Sequence, residues 1–256
     1  MNYKKLITAA GIFLFFIFLL VIFTKPAKFK EKISQPPVKG KIAIVIDDWG
    51  YHLNNLTLVK QIKYPLTCAV LPNLKRSSFV ARNLHDLSFE IILHLPMEPK
   101  TKTPLEKDTI LAGMDAARIK EILDKDLASV IFAKGISNHM GSKVTEDRST
   151  LGFVMAEAKK KKLYFLDSFV TSKSVAEDIA ATAKVKFARR DIFLDNQNDP
   201  DYIRGQVIRL KNLARKQGEA IGIGHDRKNT LKVLMEMLPR LEKEGYKLVF
   251  VSEIAG

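Results

Sequence analysis

The chain has 256 residues, of which 46% are hydrophobic, and its formal net charge is +14. This length and apolar content permit one sizeable α/β domain with a full core. The single cysteine, Cys68, excludes an intramolecular disulfide and is expected to be a small core residue. The positive charge fits either a solvated basic surface or an anionic partner, but nucleic acid is not expected, because aromatic-interleaved basic motifs and zinc-finger spacings are absent.

The N-terminal segment, residues 1–24, is predicted to be a membrane anchor. Lys4 and Lys5 precede an uncharged apolar run from Leu6 to Phe23, which as a helix would span about 27 Å, close to the hydrocarbon core of a bilayer. No small-residue cleavage site follows, which favours a retained signal anchor over a cleaved signal peptide. We expect a single-pass protein of a bacterial inner membrane with its domain outside the cytoplasm, although lysines on both sides of the run leave the orientation open.

A basic linker with several prolines, residues 25–40, is predicted to join the anchor to a domain over residues 41–256. In this domain, short β-branched runs alternate with segments of helical periodicity. The predicted strands are 42–46, 66–71, 89–95, 133–140, 163–167, 185–194, 219–224 and 247–252. The predicted helices are 53–63, 76–86, 115–130, 149–161, 174–183, 200–217 and 229–244. This alternation is typical of parallel βαβ units and predicts a barrel or a doubly wound sheet.

Polar and titratable residues follow the apolar runs, where a parallel α/β fold places its active site. The first strand ends in two adjacent carboxylates, Asp47 and Asp48. The candidates that follow later strands are His94, Glu98, Asn138, His139, Asp167, Asp195 and His225. Four of the five histidines lie at these strand ends or in the loop after the first strand. We therefore expect these residues to meet at one rim of the sheet.

The pair of carboxylates is the least ordinary of these features. A single Asp at a strand end is often a helix cap or a turn residue, but neighbouring carboxylates repel each other unless a cation or a proton intervenes. Histidine and aspartate from three strands would meet the ligand requirements of a divalent metal with open positions for water. The residues thus suggest a metal-assisted hydrolase in which one Asp serves the metal and the other the proton.

The stretches IAIVIDDWG, EIILHLPMEP, SNHMGS, FLDS and GIGH, in this order, resemble the divergent polysaccharide deacetylase family. The resemblance covers residues 40–256. This family is a distant branch of the carbohydrate esterases that remove N-acetyl groups from chitin and peptidoglycan sugars. The resemblance implies a distorted (β/α)7-type barrel with parallel strands and outer helices. It also implies an N-acetylated polysaccharide or a peptidoglycan-like glycan as the substrate.

The resemblance further implies roles for individual residues. Asp47 would be the general base and Asp48 a metal ligand, while His94 would hold the first position of the family's H-[ST]-x-x-H motif. Glu98 stands where the second histidine of that motif would be. The third ligand would be Glu98 itself or, as we prefer, His139, because the divergent branch carries the NHMGS motif and imidazole suits zinc.

His225 ends an Ile-Gly-His sequence that matches the family's Leu-x-His motif, whose histidine is the general acid. Asp167 would orient His225 or bind substrate, and Asn138 and Asp195 are further candidates for such roles. The family's arginine–proline motif has no match after the fourth strand. Two functions stay open: a zinc-dependent deacetylase of cell-envelope glycan, and a membrane-anchored binding protein that keeps the barrel and the metal pocket without turnover.

Overall fold

The computed structural model describes Tyr3 and residues 38–256. Apart from Tyr3 and residues 38–40, the predicted anchor and linker therefore lie outside the described residues and stay predictions. In the part of the chain that the structure describes, none of the helices has the length and apolarity of a membrane span. The predicted domain, residues 41–256, is described throughout.

The domain is built around one sheet of nine strands, all of whose described pairings are parallel. The strands are β1 Lys41–Trp49, β2 Thr67–Val70, β3 Glu90–Met97, β4 Ala133–Met140, β5 Tyr164–Asp167, β6 Phe187–Arg189, β7 Ile192–Phe193, β8 Glu219–His225 and β9 Lys247–Val249. Their order in the sheet is β6-β5-β4-β3-β2-β1-β8-β7, and β9 also pairs with β1. This parallel architecture confirms the α/β class that the alternating pattern predicts.

Helices connect the successive strands, as the periodicity predicts, except β6 and β7, which are separated by only two residues. They are α1 Leu56–Val59, α2 Ser77–Asp86, α3 Ala116–Ser129, α4 Arg148–Lys160, α5 Ala176–Ala183, α6 Pro200–Gln217 and α7 Lys228–Lys243. Helix α1 is much shorter than the predicted 53–63. The side chain of Asn55, just before it, donates to Asp226 Oδ1 at 2.8 Å, so the start of this segment is bound to the loop after β8 instead of continuing a helix.

The segment between residues 187 and 193 joins the two edges of the sheet. Its first part, β6, pairs with β5, and its second part, β7, pairs with β8. The single strand predicted over 185–194 is therefore divided, because its two halves serve opposite edges. Since one short segment reaches both edges, the sheet is curled into a distorted barrel and is not an open, doubly wound sheet.

Two apolar clusters pack on the two faces of this sheet. The cluster on the inner face contains alternate strand residues, among them Ala43, Val45 and Ile223, as expected from the period of two in a strand. The cluster on the outer face lies between strands and helices and includes Ile46 and the single cysteine, Cys68, which is buried as expected. Burial on both faces explains why the strands read as continuous apolar runs.

The C-terminal segment closes the end of the barrel where the strands begin. After β9 the chain forms a short 3-10 helix, Val251–Glu253, in place of the longer strand predicted over 247–252. Ser252 N donates to Glu90 Oε1 at 3.2 Å, and Gly256 exchanges backbone hydrogen bonds with Phe187. The candidate site residues lie at the opposite end, where the strands finish.

Candidate active site

An irregularity at the end of β1 brings two consecutive carboxylates to the same place. In a regular strand, neighbouring side chains point to opposite faces. Here the register with β2 shifts between Ile46 and Trp49, and Asp48 has a φ of 66°, a left-handed conformation that Asp tolerates better than most residues. Consequently Asp47 Oδ2 and Asp48 Oδ1 both approach His94 Nε2, at 3.6 and 3.3 Å.

Asp48, His94 and His139 form a compact group of potential metal ligands, which we call the ligand cluster. One donor atom from each residue lies within 4.8 Å of the others. Asp48 Oδ1 is 3.3 Å from His94 Nε2 and 3.1 Å from His139 Nδ1. Two imidazoles and one carboxylate from three different strands or strand ends are a donor set typical of catalytic zinc, with positions left for water.

Two carboxylate oxygens at the ligand cluster are buried without a hydrogen-bond partner. They are Asp47 Oδ1 and Asp48 Oδ1, to which none of the described residues donates a hydrogen bond; the imidazole contacts of Asp48 Oδ1, at 3.3 and 3.1 Å, lack hydrogen-bond geometry. Buried carboxylate oxygens normally have donors or cations beside them. The residues present therefore fit a divalent cation, which would occupy the space between oxygens and nitrogens that otherwise face each other unpaired.

The environment shifts the pKa values of the two carboxylates in opposite directions. Burial raises the pKa of Asp47, and the neighbouring His94 offsets this only in part. Burial acts in the same sense on Asp48, but the close contacts with His139 and His94 outweigh it and hold the pKa of Asp48 well below its usual range. Asp48 therefore stays ionised, as a ligand must, while Asp47 has an increased affinity for a proton, as a base near neutral pH requires.

His225 lies beside Asp47 and is held by Asp195. In the pairing of β1 with β8, Asp47 is opposite His225. His225 Nδ1 is 2.7 Å from Asp195 Oδ1, and the backbone N of His225 donates to Asp195 Oδ2 at 2.8 Å. Burial lowers the pKa of His225, but Asp195 outweighs this effect and raises it. Because Nδ1 is occupied, Nε2 is the nitrogen that can exchange a proton.

Asp167 and Asn138 bind neighbouring loops and not the ligand cluster. The carboxylate of Asp167 accepts from Phe169 N at 2.8 Å and from Ser174 Oγ at 2.7 Å, so the residue that orients His225 is Asp195 and not Asp167. Asn138 accepts from Ser168 N at 2.9 Å and donates to the Met140 carbonyl at 2.7 Å. Asn138 therefore fastens the end of β4 to the loop after β5.

Glu98 also lies apart from the ligand cluster, although it follows His94 at the spacing of a ligand motif. Its Oε2 accepts from Ala112 N at 2.9 Å, and its Oε1 accepts from Lys143 Nζ at 2.6 Å. These contacts hold the long loop between β3 and α3. Of the two alternatives for a third ligand, the structure brings His139 to Asp48 and His94, and it engages both oxygens of Glu98 elsewhere.

Three residues near the site are not among the candidates that the sequence analysis names. Ser137 Oγ lies 2.8 Å from His94 Nδ1. Glu106 Oε2 lies 3.7 Å from His139 Nε2. Arg190 lies with its guanidinium 3.7 Å from the centre of the Phe193 ring, which stacks on His225. Among them, only Arg190 carries a sequence signal, because Arg189 and Arg190 form a basic pair between the two halves of the divided strand.

The sequence of residues 44–255 matches the family described as divergent polysaccharide deacetylase. The uncharacterised protein YibQ of Escherichia coli is 38% identical over 209 residues, which are 82% of this chain and 66% of that protein. The match thus extends over nearly the whole described domain and over about two thirds of the length of this relative.

Solved structures share the fold. An uncharacterised protein from Agrobacterium tumefaciens has a TM-score of 0.79 at 22% identity, covering 86% of this chain and 91% of that one. The catalytic domain of a peptidoglycan N-acetylglucosamine deacetylase from Eubacterium rectale has a TM-score of 0.53 at 11% identity, covering 84% and 90%. A mutant of a carbohydrate esterase family 4 pseudoenzyme, with restored enzymatic activity, has a TM-score of 0.52 at 18% identity, covering 87% and 69%. Active and inactive proteins thus share this fold.

Proposed function

The chain belongs to the divergent polysaccharide deacetylase family, and we propose that it is a metal-dependent hydrolase that removes N-acetyl groups from a cell-envelope glycan. The observation that carries the proposal is the ligand cluster with two further titratable groups beside it, Asp47 and His225. A pocket used only for binding has no need of a buried carboxylate with a raised pKa next to a histidine fixed by an aspartate.

The proposed reaction uses Asp47 as the general base. When the ligand cluster binds a divalent cation, zinc in this proposal, the cation would supply Lewis acidity toward the acetamide carbonyl and the attacking water. Asp47 takes a proton from the water as the water oxygen forms a bond with the acetamide carbon. The pKa of Asp47, raised by burial, improves its ability to hold that proton near neutral pH.

His225 completes the proposed reaction as the general acid. Its Nε2 donates a proton to the nitrogen of the sugar as the carbon–nitrogen bond breaks, so that the products are acetate and a free amine. Asp195 fixes the ring through Nδ1 and favours the protonated form of His225. In this reaction Asp47 accepts a proton and His225 donates one, and the two residues are opposite each other in the pairing of β1 with β8.

The proposal also includes where the protein acts and on what. The net charge of +14 would attract an anionic glycan of the envelope. The predicted anchor, residues 1–24, would hold the chain in the inner membrane with the domain on the outer side. A second candidate function is a binding protein without turnover, which is favoured by the missing arginine–proline motif and by the pseudoenzyme among the chains that share the fold.

Acetate release distinguishes the two functions. The zinc-loaded full chain, in detergent, is incubated with N-acetylated glycan oligomers of different types, and free acetate and free amine are measured. Equal amounts of both products, dependent on zinc, are the expected result. Oligomers that bind without any release of acetate would contradict the deacetylase and support the binding protein.

Asp195→Asn is expected to move the alkaline side of the pH profile of kcat/KM to lower pH. His225 must be protonated to act as an acid, so activity is lost as the pH rises through its pKa. The substitution removes the charge that raises the pKa of His225, while burial continues to lower it. At pH 8 the variant should lose about 10²-fold in kcat/KM, at the lower end of what general acid–base catalysis contributes.

The matched control for this variant is Asp191→Asn. Asp191 is a carboxylate of the same segment, and its Oδ2 accepts from Ile221 N at 2.8 Å, away from His225. The control should keep the alkaline side of the profile where the wild type has it. An unchanged profile in Asp195→Asn would show that His225 is not the acid or that Asp195 does not set its pKa.

A further inference from the structure

Glu106 carries a buried oxygen next to the ligand cluster that the proposed reaction does not use. It lies in the loop between β3 and α3, and its Oε1 accepts a hydrogen bond from the hydroxyl of Tyr51, in the loop after β1. Its Oε2 is buried, and none of the described residues donates a hydrogen bond to it. A buried carboxylate oxygen left in this way requires an explanation, and the nearest described imidazole nitrogen is His139 Nε2, at 3.7 Å.

The two nitrogens of His139 face different partners. Nδ1 lies 3.1 Å from Asp48 Oδ1, within the ligand cluster, and Nε2 faces Glu106. His94 shows the same division with the nitrogens exchanged, since Nε2 faces Asp48 and Nδ1 lies 2.8 Å from Ser137 Oγ. A polar partner on the outer nitrogen fixes the ring and the tautomer of a metal-binding histidine.

We propose that Glu106 is a positioning residue of the metal centre, whose carboxylate accepts the Nε2–H of His139 and so makes Nδ1 the metal-binding nitrogen. The inference rests on the proposed function, because it requires a cation at the ligand cluster. A hydrogen bond requires the separation of 3.7 Å to shorten by roughly 0.7 Å. The bond from Tyr51 to Oε1 keeps Oε2 directed at the ring.

The negative charge of Glu106 is expected to increase the affinity of the ligand cluster for a metal ion. A carboxylate that accepts the outer N–H increases the basicity of the imidazole, and loss of such a partner typically lowers metal affinity by about 10–100-fold. Ser137 provides a neutral hydroxyl to His94, so the two imidazoles differ in the charge of their partners. The zinc affinity contributed by His139 therefore depends on Glu106, which lies in a loop, whereas the partner of His94 is Ser137 in the neighbouring strand β4.

The test measures zinc affinity of the full chain by competition with a chelator of known affinity. Glu106→Gln retains the size of the side chain and removes its charge, and we expect affinity to fall by about 10–100-fold. The matched control is Glu98→Gln, at the start of the same loop, where the carboxylate binds Lys143 and Ala112 N. This control should retain the affinity of the wild type to within about twofold.

A second measurement needs no variant and reports the tautomer. Long-range 1H–15N spectra of the zinc-loaded wild type should place the ring proton of His139 on Nε2 and that of His94 on Nδ1. Zinc on one ring nitrogen excludes a proton from it, so the pattern reports which nitrogen of each histidine binds the metal. A proton on Nδ1 of His139, or equal zinc affinity in Glu106→Gln and wild type, would overturn the inference and leave the proposed function standing. A wild type that binds no zinc would overturn both.

Discussion

Asp47→Asn is expected to reduce acetate release from N-acetylated glycan oligomers by about 10²–10⁴-fold, the contribution of a general base, while zinc remains bound. Asparagine has almost the same shape as aspartate but cannot take a proton from the attacking water. Asp47 is buried at the end of β1, and His94 Nε2 lies 3.6 Å from its Oδ2. Because the ligand cluster holds the cation without Asp47, loss of turnover and loss of metal should separate in this variant.

The matched control is Asp167→Asn, another buried aspartate at a strand end whose pKa burial raises. Its carboxylate binds Phe169 N and Ser174 Oγ, so the variant should keep acetate release within a few-fold of the wild type at a temperature where both are folded. If Asp47→Asn retained wild-type release, Asp47 would not be the base. If the wild type itself released no acetate from any oligomer, the binding protein would be the better description.

The strand ends were predictable because a parallel α/β fold has one active end. Each apolar run marks a strand, and the polar residue after it marks the end at which side chains converge. This rule predicts that Asp48, His94 and His139 lie at the same end of the sheet, whereas the preference for His139 over Glu98 as a ligand came from the family resemblance. Glu98 also follows a strand end, but its side chain lies apart from the ligand cluster, because Lys143 and the backbone N of Ala112 donate to its oxygens. Such competition between partners is a tertiary effect that spacing along the chain does not contain.

Other features depend on backbone geometry that residue types do not specify. Regular alternation would direct Asp47 and Asp48 to opposite faces, and only the register shift and the positive φ of Asp48 unite them. After the division of 185–194 into two strands, Asp195 lies next to His225 and orients its ring. The family resemblance suggested Asp167 first for this role, with Asp195 as a further candidate. Glu106 lies in a loop without periodicity, so only the fold reveals that it approaches His139.

His139→Ala is expected to lower bound zinc from about one per chain to a small fraction of that, measured by elemental analysis of the purified full chain. His139 Nδ1 is 3.1 Å from Asp48 Oδ1, and its removal leaves two ligands, too few for a stable site. His94→Ala should have the same effect. Glu98→Ala should keep the zinc, because both of its oxygens are engaged away from the ligand cluster.

Thermal unfolding gives an independent measure of the same loss. A cation that binds only the folded chain stabilises it by about 2.7 kcal/mol when its free concentration is 100 times the dissociation constant. Zinc should therefore raise the Tm of the wild type and of Glu98→Ala, and it should have almost no effect on His139→Ala. The opposite result, with zinc retained by His139→Ala and lost by Glu98→Ala, would show that the third ligand is Glu98 and not His139. The loop between β3 and α3 would then have to rearrange around the metal, since Lys143 would lose its carboxylate partner.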